Sequence, residues 1–435
     1  MNRYDYKVKK YHASERHLRR AEISIPLGSQ TFSKSRTQYP VGISPLYATK
    51  TKGAHLWDVD GNKYIDLVSS LASITLGYND RGVSKAVQKQ LKLATNMSLP
   101  GKLEAEVAEL ITFLVPSAEM VRFGKNGSDA TSAAIRLARA YTGRDHIIVC
   151  GYHGWQDWFI GSTTRNKGVP KSVSALTHKF EFNNIHSLEF LFDKLGSNVA
   201  AVIMEPMNMT YPNPGFLDSV KRITHANGAV LVFDETITGF RFAAGGAQEL
   251  FGVTPDLSTF GKGMANGFPI SAVTGRREIM MEMEEIFFSG TFGGELLSLA
   301  AARHVLLRFQ NEDIAKQLSG YGKQLAEGTS GLIQDLGLND FLSLSGHPTW
   351  TFLNWSPVNS YSVDEIKTYF MQLIFERGLL VLGTHNTTLA HTPRVQRMVL
   401  DVYGEVFREV KESISEGTLR NRLKVSPLEP LFKVR

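Results

Sequence analysis

A lysine held between two glycines, Gly261-Lys262-Gly263, follows the largely apolar run Leu257-Ser258-Thr259-Phe260. A lysine amine with room on both sides can form a Schiff base with an aldehyde once burial or a neighbouring cation lowers its pKa, although most lysines are simply solvated charges. Asp234 ends another apolar run, Val230-Leu231-Val232-Phe233. A carboxylate in that setting needs a partner; the protonated nitrogen of a pyridine ring is one, and the amides of the following turn are another. After residues 147–150 comes Gly151-Tyr152-His153-Gly154-Trp155. Tyr152 there can stack on a flat heteroaromatic ring or be an ordinary buried tyrosine beside a satisfied histidine. After residues 120–123 comes Gly124-Lys125-Asn126-Gly127-Ser128-Asp129, followed by an alanine-rich helical pattern. Glycine permits close backbone approach, and the amides at a helix start favour an anion, so Gly127 and Ser128 form a candidate phosphate cradle. The stretch fits neither the Walker pattern nor GxGxxG, and a plain turn capped by Ser128 reads the same way.

Each feature alone has an ordinary structural reading. A phosphate cradle, a stacking aromatic, a carboxylate for a pyridine nitrogen and a Schiff-base lysine are together the fixtures that pyridoxal 5'-phosphate requires. Ligands of open α/β sheets bind outside the carboxyl ends of the strands, so this reading demands that the four apolar runs be strands of one sheet.

The pattern between about 120 and 275 meets that demand. Short β-rich runs at 120–123, 147–150, 200–205, 230–234 and 270–274 alternate with helical periodicity, which predicts a largely parallel sheet with helices on both faces. Before it, Asp60-Gly61-Asn62 within 58–66 predicts a hairpin, and apolar spacing of three and four predicts helices over 83–93 and 103–114. After it, a helix-rich stretch over 296–332 leads to strands at 349–355 and 379–382 and a final helical region. The fold class is therefore α/β, with a large mostly parallel-sheet domain over 86–315 and a smaller α/β domain built from both chain ends, 1–85 and 316–435.

Composition excludes several other classes. Of 435 residues, 43% are hydrophobic and 21% charged, which excludes wholesale disorder. The apolar runs fall far short of the roughly 20 residues of a spanning helix, so no membrane partner is expected. The single cysteine, Cys150, excludes a disulfide scaffold. The 12 histidines include no HExxH, so no metal is expected. A net charge of +6 suits nucleic acid. Much of it lies in Arg3, Lys7, Lys9, Lys10, Arg16, Arg19 and Arg20 at one end and Arg420, Arg422, Lys424, Lys433 and Arg435 at the other. These read more simply as solvated termini, and no nucleic-acid partner is expected. The amino end lacks the pattern of a secretory signal, so the expected location is the cytoplasm.

The stretches Phe233-Asp234-Glu235-Thr236-Ile237-Thr238-Gly239-Phe240-Arg241, Gly245-Gly246-Ala247-Gln248-Glu249, Phe251-Gly252-Val253-Thr254-Pro255-Asp256-Leu257 and Gly261-Lys262 resemble the class III aminotransferases, and within that class the glutamate-1-semialdehyde aminomutases. The likeness runs from Lys52-Gly53-Ala54 to Ala390-His391-Thr392. It implies a pyridoxal-phosphate-dependent transferase of fold type I, in which Lys262 holds the cofactor and later shuttles a proton. It implies that Asp234 pairs with the pyridine nitrogen, that Tyr152 stacks on the ring and that Gly127 and Ser128 hold the phosphate. Glu205, in Ile203-Met204-Glu205-Pro206, would support the site. Thr291, in Ser289-Gly290-Thr291-Phe292, would reach the phosphate of a neighbouring subunit's cofactor, which implies a homodimer.

The resemblance fails in places that face substrate. The aminomutases carry Asn-Ser-Pro-Val-Arg near the start, whose arginine meets a carboxylate; here the run is Gln30-Thr31-Phe32-Ser33-Lys34, and lysine lacks the bidentate fork. Where they carry Phe-Glu-Ala-Gly-Phe, this chain has Leu382-Gly383-Thr384-His385-Asn386-Thr387-Thr388-Leu389, with no acidic residue. The phosphate loop is Asn126-Gly127-Ser128-Asp129 in place of Ser-Gly-Thr-Glu. Retained cofactor contacts with altered substrate contacts imply an aminotransferase that moves an amino group from an amino acid, glutamate first, to a carbonyl acceptor. The polar run suggests a keto-sugar or its derivative as acceptor, met by Lys34, His385 and Asn386. A true aminomutase and a pyridoxal-binding protein without turnover are the alternatives.

Overall fold

The computed structural model describes residues 9–429; Arg3, Lys7, Lys433 and Arg435 lie outside the described residues. The chain divides into two compact units, Arg81–Lys316 and the described residues on either side of it.

In the Arg81–Lys316 unit the β-rich runs become one seven-stranded sheet: β1 (Met120–Gly124), β2 (His146–Cys150), β3 (Thr177–Lys179), β4 (Val199–Met204), β5 (Val230–Asp234), β6 (Leu257–Phe260) and β7 (Ser271–Gly275). Their spatial order is β1-β7-β6-β5-β4-β2-β3. The strands from β3 to β6 pair in parallel. β7 is antiparallel to both β6 and β1, so the sheet is mixed at one side. The chain between Phe260 and Ser271 is too short for the helical crossover that a parallel return needs, which requires a dozen or more residues. Two reversals restore the direction, so β1 runs parallel to β6 and ends at the same edge.

Alternation along the strands builds two cores. Ile147, Val149, Ala201, Ile203, Val230 and Val232 face the helix Gly127–Thr142. That helix presents Ala130, Ala133, Ala134 and Ala138, small side chains that bring its backbone close to the sheet. Ile148, Val202, Met204, Leu231 and Phe233 face the opposite way, toward the helices Ile185–Leu195 and Phe216–Ala226. β3 has only three residues, Thr-His-Lys, and its lack of an apolar run explains why composition does not reveal it.

The other unit joins both chain ends through backbone pairing. His55–Asp58 and Lys63–Asp66 form the expected hairpin, and Leu379–Leu380 adds in parallel beside Lys63–Asp66. A second sheet comprises Leu342–His347, Trp350–Trp355 and Thr384–Asn386, all antiparallel. The helix-rich stretch over 296–332 holds two helices, Leu296–Asn311 in the Arg81–Lys316 unit and Ile314–Asp335, which leads into this one. Tyr64, Leu67, Phe370, Phe375, Tyr403 and Phe407 are in this unit's hydrophobic core. Among the described residues no helix is long and apolar enough to cross a membrane.

Two glycines of one helix separate packing from propensity. A Cβ on Gly322 would collide with the Pro348 carbonyl oxygen, whereas one on Gly331 meets nothing within 4 Å. Gly322→Ala is expected to cost about 2 kcal/mol or more through overpacking, and Gly331→Ala to add about 0.5–1 kcal/mol through helix propensity. Urea midpoints of the two variants check both signs.

Candidate active site

The carboxyl ends of β1, β2, β4, β5 and β6 lie on one edge of the sheet, and each delivers one of the expected residues. Lys125 to Ser128 follow β1, Tyr152 follows β2, Glu205 follows β4, Asp234 ends β5 and Lys262 follows β6.

Asp234 is 5% exposed, and burial alone pushes its carboxyl up. The hydrogen bond and charge of His153 and the donors of Thr236 outweigh burial and hold it below the usual carboxylate range. His153 Nδ1 lies 2.9 Å from Oδ2. Oδ1 accepts the Thr236 amide at 3.1 Å, the Thr236 hydroxyl at 2.6 Å and the Thr259 hydroxyl at 3.1 Å. A carboxylate kept ionised in the interior is suited to hold a proton on a heteroaromatic nitrogen.

The loop after β2 brings His153 to that carboxylate. Gly151 and Gly154 have φ of 109° and 105°, a region that favours glycine. A Cβ on Gly154 would strike the Ser128 hydroxyl, so the loop lies directly on the phosphate cradle. Trp155 donates its amide to Ser128 Oγ at 3.3 Å, and Thr131 donates its hydroxyl to the His153 carbonyl at 2.8 Å. Glu205, 6% exposed, accepts the Tyr152 amide at 3.1 Å and the Asn208 amide at 2.8 Å. Its geometry is that of a brace beneath the Tyr152 loop. The Tyr152 ring meets Phe159 edge-on at 5.5 Å, and His153 lies against Trp158 with nearly parallel planes.

The cradle is the start of the helix Gly127–Thr142. Its N-cap is Asn126, not Ser128, and Asp129 Oδ2 accepts the Lys125 and Asn126 amides at 3.0 and 2.8 Å. Gly127 and Ser128 thus occupy the first turn, where backbone amides have no intrahelical acceptor and the helix dipole favours an anion. A Cβ on Gly127 would press on Thr236 Cγ2 at 3.0 Å, so the threonine that orients Asp234 also underlies the cradle. Lys262 has a left-handed backbone, φ 39°, and begins a short 3-10 turn. A non-glycine residue there costs about 1–2 kcal/mol, strain of the kind that collects at functional sites.

Other expected residues fall elsewhere. Thr291 is exposed, and its carbonyl accepts the Asn96 side-chain amide at 3.2 Å. Lys34 is exposed in the other unit. In that same unit the run proposed to face a hydroxylated acceptor is instead built into the framework. His385 is fully buried between Thr351 at 2.9 Å and the Tyr403 hydroxyl at 2.7 Å, and burial lowers its pKa to about 3. Asn386 donates its side-chain amide to the Val68 carbonyl at 2.9 Å, and its carbonyl accepts the Ser69 hydroxyl at 2.8 Å. Both side chains make internal hydrogen bonds. Thr236 and Thr259 were not singled out from sequence. A hydroxyl two residues after Asp234 is a recognisable local signal, whereas the His153 contact depends on tertiary structure.

The residues present fit pyridoxal 5'-phosphate. They offer the open amides of a first helical turn at Gly127 and Ser128, an ionised buried carboxylate, an aromatic ring and a lysine at the same edge. His153 Nε2 is buried without a hydrogen-bond partner.

Comparison with known proteins agrees. Residues 38–395 match the family model described as Aminotransferase class-III. The chain is 34% identical over 416 residues to the glutamate-1-semialdehyde 2,1-aminomutase of Syntrophobacter fumaroxidans, covering 87% of this chain and 94% of that protein. It is 36% identical over 401 residues to glutamate-1-semialdehyde 2,1-aminomutase 2 of Brevibacillus brevis, covering 86% and 92%. The solved internal aldimine form of the FumI protein of Sphingopyxis sp. MTA144 is similar with a TM-score of 0.85 at 28% identity, covering 92% of this chain and 97% of that one. The chain therefore belongs to the class III aminotransferases, enzymes of fold type I whose cofactor is pyridoxal 5'-phosphate.

Proposed function

We propose that this enzyme moves an amino group from an amino-acid donor, glutamate first, to a carbonyl acceptor that carries a ring, with Lys262 and Asp234 as its catalytic residues. The observation that carries the residue roles is the convergence of five strand ends around a carboxylate held ionised inside the unit. Bound there, the cofactor supplies an aldehyde for amines and a ring that accepts electrons. Lys262 Nζ would hold the cofactor and would move the proton at the substrate carbon. Asp234 keeps a proton on the pyridine nitrogen, and His153 and Thr236 hold Asp234 in place and in charge. Tyr152 would stack on the ring, and the amides of Gly127 and Ser128 would hold the phosphate.

Trp155 supports the ring-bearing acceptor. It is 64% exposed although it adjoins the cradle through its own amide, and an exposed indole at a binding edge offers a flat stacking face. A second reading, a glutamate-1-semialdehyde aminomutase, is supported by the relatives of that name at 34% and 36% identity. Lys34 in place of the aminomutase arginine speaks for the first. Thr291 serves the cofactor of a second copy in this proposal. The exposure of Met97, Leu99, Phe287 and Phe292 at 50%, 78%, 82% and 58%, in segments joined by the Asn96–Thr291 bond, supports a dimer formed there.

Four outcomes are expected. Lys262→Ala loses transamination by about a thousandfold or more while the cofactor stays non-covalently bound, as absorbance after gel filtration will show. In wild type the depressed Asp234 pKa contributes stability above the unfolded pKa, and that contribution is lost as pH falls through the lower folded value. His153→Ala removes the largest groups holding the carboxyl down, so the acid limbs of both stability and kcat/KM move to higher pH; an unmoved limb contradicts the role. With glutamate, an aminotransferase releases stoichiometric 2-oxoglutarate, whereas an aminomutase converts the semialdehyde with no external donor. Trp155→Ala is expected to raise KM for a ring-bearing acceptor about fivefold to tenfold more than KM for glutamate, the worth of about 1 kcal/mol of stacking.

A further inference from the structure

The two-residue link between β1 and the helix Gly127–Thr142 is tied to a distant part of the chain. Lys125 Nζ lies 3.1 Å from Glu295 Oε2, with side chains 21% and 18% exposed. Glu295 is also the N-cap of the helix Leu296–Asn311, with Oε1 accepting the Leu297 amide at 2.8 Å and Oε2 the Ser298 amide at 3.1 Å. One carboxylate therefore caps one helix and anchors the loop that opens another. Burial raises the Glu295 pKa, but the Ser298, Leu297 and Lys125 donors more than offset it and hold the carboxyl below its ordinary range.

The segment before Glu295 lies against the end of β1 that leads into that link. Arg122 donates to the Phe288 carbonyl at 3.3 Å, a Cβ on Gly124 would touch the Phe288 ring at 3.3 Å, and one on Gly293 would touch the Phe123 carbonyl at 3.4 Å. Asp129 holds the Lys125 and Asn126 amides from the helix side. The direction in which Gly127 and Ser128 present their amides is thus set from both sides, and Lys125–Glu295 is the charged tie among these contacts.

We propose that the Lys125–Glu295 ion pair is a positioning device for the phosphate end of the cofactor, holding the turn of residues 126–128 in register with the segment 288–294. The proposal rests on the reading of Gly127 and Ser128 as the phosphate cradle. Removing one partner of a partly buried ion pair leaves the other charge uncompensated and costs more than breaking a surface pair, and displacing the cradle weakens phosphate binding specifically. Two groups in one network are non-additive. Loss of either partner releases the same tie, and loss of both does no more.

Titration of the cofactor-free chain with pyridoxal 5'-phosphate and with pyridoxal, followed by absorbance, tests this. Lys125→Met and Glu295→Gln are each expected to weaken pyridoxal 5'-phosphate binding about tenfold, the double variant no more than either, and pyridoxal binding less than twofold. Gln retains a capping oxygen, so helix loss is limited. Additive losses, equal losses for both ligands, or a lowered melting temperature of the cofactor-free chain with unchanged affinities would overturn the proposal. Gly127→Ala separates the two readings. If it leaves the preference for the phosphorylated ligand intact, the cradle assignment fails; if it abolishes that preference while Lys125→Met does not, only the ion-pair role fails.

Discussion

The candidate site depends on keeping one carboxylate charged where water does not reach it. Burying an ionised group without partners costs several kcal/mol, and the group otherwise takes up a proton. Asp234 avoids that outcome because three hydroxyl and amide donors meet Oδ1 and the His153 imidazole meets Oδ2. Each donor comes from a different commitment of the chain: Thr236 from the turn after β5, Thr259 from the neighbouring strand β6, His153 from a loop that crosses from β2. The sheet order places β2 two strands away from β5, with β4 between them. The loop can make that reach only because Gly151 and Gly154 adopt positive φ and Glu205, at the end of β4, braces it from below.

This arrangement links ends of the site that chemistry keeps apart. Thr236 orients the carboxylate and also lies under Gly127. The loop bearing Tyr152 and His153 lies on Ser128. The nitrogen end, the ring face and the phosphate end are therefore one packed body. Lys262 adds a strained backbone at the same edge. Strain is retained where the surroundings over-determine it, and the buried Met264 and Ala265 beyond it supply that constraint.

Much of this was legible in the sequence. Lys262 and Asp234 stand at the ends of apolar runs, and a reactive residue type at a strand end is a local signal. The parallel core of the sheet follows from alternating β and helical periods. The antiparallel β7 was not legible, because a strand's direction depends on the length and path of its connection rather than on its own residues. His153 was read as one of two possibilities, since its partner lies 81 residues away. His385 and Asn386 likewise have partners distant in sequence. A polar run among glycine and threonine reads as exposed loop, yet Thr351, Tyr403 and Val68 from three distant elements satisfy it in the core.

The account turns on Asp234 holding a proton on the cofactor nitrogen. Nitrogen-15 NMR of holoenzyme rebuilt with cofactor labelled at its pyridine nitrogen observes that proton directly. The account predicts a protonated nitrogen across the working pH range in wild type and a deprotonated one in Asp234→Asn. A nitrogen that is unprotonated in wild type, or that titrates identically in both proteins, would contradict it.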